Sequence, residues 1–133
     1  MGHAGRVCIF VYVGADRPLS NKAAGALRLT EARHRHEKRL LSEKHTYLAF
    51  GGCACDLTLD DADNDAKTRR QALLDALSSF LMAATKDGPV RVLVTDGGRK
   101  PPPKELAVSV AEVQHFDFDS AWDASTLLTV SRG

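Results

Sequence analysis

The chain has 133 residues, 44% of them hydrophobic and 26% charged, with 18 Lys and Arg against 17 Asp and Glu. That length suits one domain able to bury a core without disulfide or metal staples, so a single domain over residues 1–133 is expected. A formal net charge of +1 supplies no overall field for nucleic acid or an anionic membrane, and no apolar run approaches a membrane span of roughly 18 residues.

The first residues, Met1-Gly2-His3-Ala4-Gly5-Arg6, lack the apolar stretch of an export signal, and Arg6 stands where myristoylation wants Ser or Thr. The three cysteines, Cys8, Cys53 and Cys55, are too few for a disulfide framework and fit a reducing compartment. A cytoplasmic protein is the expectation.

In chain order, Val7-Cys8-Ile9-Phe10-Val11-Tyr12-Val13 is an unbroken apolar run closed by Gly14, the pattern of a strand covered on both faces. Asp16-Arg17-Pro18-Leu19-Ser20-Asn21 carries the residues of a loop, and Leu27 to Thr30 alternates as a short strand does. Glu31 to Glu43 reads as a weak basic helix, with Ala32, Leu40 and Leu41 its only apolar residues. His45 to Phe50 is a second strand, stopped by Gly51-Gly52, and Asp56 to Asp65 is an acidic connection.

The strongest helix runs from Asp65 to Lys86, where Leu73, Leu74, Leu77, Phe80, Leu81 and Ala84 recur at the three- and four-residue spacing of one face. Asp63, Asn64 and Asp65 offer caps and negative charge at its start; Lys86 and Gly88 close it. Val90 to Val94 is a third strand, and Arg99-Lys100-Pro101-Pro102-Pro103-Lys104 is expected as an extended connection, since proline cannot donate to a sheet ladder. Ser109-Val110-Ala111-Glu112 has the spacing of a capping box, and Ser125 to Val130 is a last strand against which Trp122 would anchor. Strands and helices alternating along the chain predict an α/β (α+β) fold, a single mixed sheet of about four to five strands with two main helices packed on it.

Val11-Tyr12-Val13 followed by Asp16-Arg17-Pro18-Leu19, and a later strand with Tyr47 running into Gly52-Cys53-Ala54-Cys55, resemble a family of small uncharacterised bacterial proteins. Its members have an N-terminal strand leading into an Asp-Arg-Pro-Leu-like loop and a later strand ending in Gly-Cys-Gly-Cys; here Ala54 replaces the second glycine. The resemblance implies a fold and a bacterial source, and no activity.

The residues themselves offer a few candidate sites. Cys53 and Cys55 flank one residue in a glycine-preceded turn, so their sulfurs can converge if the backbone bends. Zinc takes four ligands or three and a water, so His45, with Cys8 or His115 as further candidates, would have to complete a metal site. Thiol redox chemistry is the other reading, because a disulfide in so small a ring is strained and readily reduced; the alternative is two small residues filling a turn. The basic segment bearing Arg33, Arg35, Lys38 and Arg39 is a candidate partner surface, but three glutamates dilute it and no aromatic residue is interleaved for base stacking. A solvated helix face is the first reading of this segment; nucleic acid is not expected, and a protein partner or a homodimer is the alternative.

His34 and His36, two apart on a helix, point away from each other. Asp61 to Asp65 imitates a calcium loop but has Ala66 and Ala72 where glycine and glutamate are required. No phosphate-binding glycine loop, nucleophile elbow or zinc-protease motif occurs. With no complete set of nucleophile, base and stabiliser, the sequence leads to a non-enzymatic binding or accessory domain, with thiol or zinc chemistry at Cys53 and Cys55 as the alternative.

Overall fold

The computed structural model describes residues 10–19, 27–31, 44–50, 64–95, 104–116 and 126–132. The strands are β1 (Phe10–Ala15), β2 (Thr30–Glu31), β3 (His45–Leu48), β4 (Val90–Thr95), β5 (Lys104–Ser109) and β6 (Thr126–Ser131), and the helices are α1 (Asn64–Ala84) and α2 (Val110–Val113). They form one mixed sheet in the order β2-β3-β1-β4-β6-β5. Every neighbouring pair is antiparallel except β5 with β6. The fold is α+β.

The sheet has six strands, not the four to five expected. The addition is β5, which begins at Lys104, where a connection was expected to end. Other boundaries move too, and the strand expected at Leu27 to Thr30 is observed at Thr30–Glu31. Gly14 does not end β1 but lies inside it, level with Thr46 on one side and Arg91 on the other; a ladder on both sides holds a glycine extended. Ala49 and Phe50 fall outside β3, because Phe50 turns left-handed at φ 62°. Glu31 belongs to β2 rather than opening a helix, and residues 32–43, the rest of the predicted basic helix, lie outside the described residues.

Alternation along the strands divides the sheet's two faces. Val11 and Val13 of β1, Val90, Val92 and Val94 of β4 and Leu128 and Val130 of β6 share one core with Tyr47 and with Leu74, Leu77, Phe80 and Leu81 of α1. The helix lies on that face because those four residues form its apolar stripe; Leu77, Phe80 and Leu81 are fully buried. Each such side chain contributes about 1.5–3 kcal/mol by leaving water. On the opposite face Tyr12, Leu93 and Leu127 sit in one cross-strand row and form a smaller cluster with Phe10 and Leu48. Central strands buried on both faces explain the unbroken apolar run at the N-terminal strand.

The end of α1 is tied rather than frayed. The chain tightens into a 3-10 turn over Thr85–Asp87, and Thr85 Oγ1 donates back to the Leu81 carbonyl at 2.7 Å. Gly88 then takes φ 139°, a backbone that L side chains rarely adopt, and starts the return into β4. At α2 the expected capping box is present: Ser109 Oγ accepts from the Glu112 N–H, and the Glu112 carboxylate accepts from the Ser109 N–H at 2.8 Å.

Candidate functional site

In the loop after β1, each residue with a described partner makes a structural contact. Arg17 Nη2 donates to the Ala84 carbonyl at 2.5 Å and to the Gly88 carbonyl at 3.0 Å. A cation on carbonyls at a helix C-terminus also meets the negative end of the helix dipole. Asp16 accepts from the Lys44 N–H at 3.4 Å, and the Tyr47 hydroxyl accepts from the Leu19 N–H at 3.1 Å. The loop thus pins the ends of β1, β3 and α1 together. Beside it, Arg17, Pro18, Leu19, Phe80, Ala83, Ala84 and Asp87 line a cleft of about 160 Å³. Small-molecule pockets run to about 300–1,000 Å³, so this one is small, with room for a few waters or a group about the size of benzene.

His45 opens β3, half-buried and level with Ala15. The chain leaves toward Cys53 from the other end of β3, so about 10 Å of strand, at roughly 3.3 Å per residue, separates His45 from Leu48. That exit is held by an unusual pair of residues. Phe50 donates its N–H to the Leu27 carbonyl at 2.6 Å, while Arg28 Nη2 donates to the Phe50 carbonyl at 3.4 Å. Both are left-handed, Arg28 at φ 50° and Phe50 at φ 62°, which costs non-glycine residues about 1–3 kcal/mol each unless their surroundings hold them there. Burial of Phe50 and the Arg28 contact supply that hold.

Cys8, Cys53 and Cys55 lie outside the described residues, as do Arg33, Arg35, Lys38 and Arg39. His115 is exposed in the turn after α2, which follows β5, and three strands separate β5 from the strand carrying His45. His45 and His115 therefore sit on opposite flanks of the sheet. Among the described residues, no three His, Cys, Asp or Glu side chains gather as a metal site, and no helix is long and apolar enough to cross a membrane.

The surface that sequence reasoning missed is β5. Among the described residues it pairs on one side only, and Lys104 to Ala107 are exposed on both faces. Leu106 is 39% exposed and Met82 45%, and they are the exposed large hydrophobics among the described residues. They share a flank. Gln71, Asp75 and Ser78 all bond Gln114, just beyond α2, and Met82 continues the same line of the helix. Arg132, one residue past β6, donates to the Met82 carbonyl at 2.9 Å. Leu106 lies level with Leu128 on the helix-bearing face. Leu106 thus stands exposed on an edge strand whose outer side no described strand pairs. Comparison with protein-family models, curated proteins and solved structures finds no match for this chain.

Proposed function

We propose that this chain is a non-enzymatic binding domain of the bacterial cytoplasm, which takes its partner by strand addition at β5. The observation that carries the reading is a six-residue strand whose outer side no described strand pairs and which carries exposed Leu106. Strand addition gains affinity from main-chain hydrogen bonds and specificity from alternate side chains. Natural edges are usually blunted by charge or proline. Here Lys104 and Glu105 do so only at the start of the strand, and Leu106, Ala107 and Val108 follow without such a device. The test is retention of proteins from a bacterial lysate on the immobilised chain. The partner retained by the wild type is expected to be lost with Leu106→Lys; equal retention by both removes β5 as the docking edge.

The basic segment with Arg33, Arg35, Lys38 and Arg39 is a second proposed contact, for an acidic protein surface. Charge reversal at Arg35 and Arg39 is expected to weaken partner retention further, and unchanged binding removes it.

A thiol or zinc site at Cys53 and Cys55, with His45, is the second reading. What favours it is the Arg28 guanidinium on the Phe50 carbonyl, three residues before Cys53, together with the two left-handed residues held there. Strained backbone clusters where geometry serves function. Titration of the thiols against pH, with metal analysis of untagged protein, decides it. Bound zinc or a thiol ionising well below about 8.5 supports the site; no metal and ordinary thiols end it.

A further inference from the structure

We propose that β5 pairs antiparallel with β5 of a second copy of this chain, about a two-fold axis perpendicular to the sheet and passing beside Leu106. This inference rests on the strand-addition reading and names its occupant.

Symmetry restricts the pairing to a few registers. A two-fold that makes neighbouring strands antiparallel must run perpendicular to the sheet, so each face continues into the same face of the partner. Residues directly opposite each other share a face, so the axis must pass a residue rather than fall between two. An axis at Glu105 opposes two carboxylates, which is destabilising. An axis at Leu106 sets Leu106 against Leu106 of the partner subunit, Lys104 against Val108 of the partner subunit and Glu105 against Ala107 of the partner subunit. No like charges meet, and the exposed large hydrophobic of the strand is covered by its own copy. An axis at Ala107 also avoids like charges, but covers Leu106 with Val108, which is already half-buried on its own core.

Two further features favour a copy of this chain over a foreign segment. The first is charge. β5 carries one lysine and one glutamate, and the chain as a whole carries a formal +1, so two copies approach without repulsion and a strongly charged segment gains nothing. Glu105 is already engaged by Arg91 of β4 at 3.4 Å. The second is length. Pro101, Pro102 and Pro103 precede β5 and have no N–H to donate, while α2 turns the chain away after Ser109. The edge that can pair is therefore as long as β5 itself. A two-fold contact also closes on itself, leaving no second copy of the same edge exposed.

The pairing joins two six-stranded sheets into one. A strand pair this short lies at the small end of specific interfaces, below about 1,200 Å² of buried surface, so the dimer is expected to be weak and dependent on concentration.

Sedimentation of the purified full chain from micromolar to near-millimolar concentration tests the proposal. The wild type is expected to rise from monomer to dimer mass and stop there. Leu106→Lys and Leu106→Glu are each expected to stay monomeric with unchanged circular dichroism, and an equimolar mixture of the two to recover dimer, because Lys then faces Glu at the axis. A wild type that stays monomeric, or grows beyond a dimer, overturns the proposal whether or not the variants fold. Folded variants that still dimerise alone, or that fail to associate when mixed, overturn the register. If the wild type is monomeric yet lysate retention still depends on Leu106, the second copy falls and strand addition at β5 stands; if neither depends on Leu106, both fall.

Discussion

Arg17 joins parts of the chain that no local pattern connects. Its guanidinium bonds carbonyls 67 and 71 residues away, where a turn-forming sequence gives only the expectation of a loop. The loop itself was legible from Asp16, Pro18 and Asn21; its partners were not, because they depend on where α1 ends in space. Arg17→Ala leaves two part-buried carbonyls without this donor and removes a cation from the helix C-terminus. Hydrogen bonds to charged groups contribute about 1.5–3 kcal/mol, so a loss of about 2 kcal/mol is expected in denaturant unfolding. A loss under a few tenths would show that the contact is incidental. Phe50 and Arg28 were equally illegible, since a left-handed φ in a bulky residue is imposed by its neighbours.

Among the elements, α1 was the easiest to read, its stripe of Leu74, Leu77, Phe80 and Leu81 being a property of spacing alone. Phe80 is fully buried, and Phe80→Ala is expected to cost about 3–5 kcal/mol through lost burial and the cavity left behind. A chemical melt measures this, and a cost under 1 kcal/mol would mean that the helix does not pack on the sheet as described. The capping box at Ser109 was also legible, because both of its bonds are local. Ser109→Ala is expected to lose about 1 kcal/mol, read from thermal unfolding; no loss would remove the cap from the account. β5 escaped notice for two physical reasons. Lys104 to Ala107 are exposed on both faces, so burial leaves no alternation there, and the strand's stability comes from pairing with β6, which follows it by a long connection. Three prolines next to it further masked a strand behind the signature of a linker.

At the scale of the molecule, the strand order puts the two sheet edges in different circumstances. The β2 edge is two residues long, whereas β5 offers six residues. The class of fold was readable from alternating elements, but strand order was not, because it is set by which apolar faces meet across the whole chain. The same order separates His45 from His115 and leaves β5 as the longer described edge, the one proposed to take a partner. Amide hydrogen exchange on the full chain, dilute against concentrated, tests the proposed pairing of β5 with β5 of a second copy most directly. Exchange is expected to slow at Lys104–Ser109 on concentration and to stay unchanged at Val90–Thr95, which is already paired on both sides. Equal rates at β5 under both conditions, or new protection confined to other elements, would contradict it.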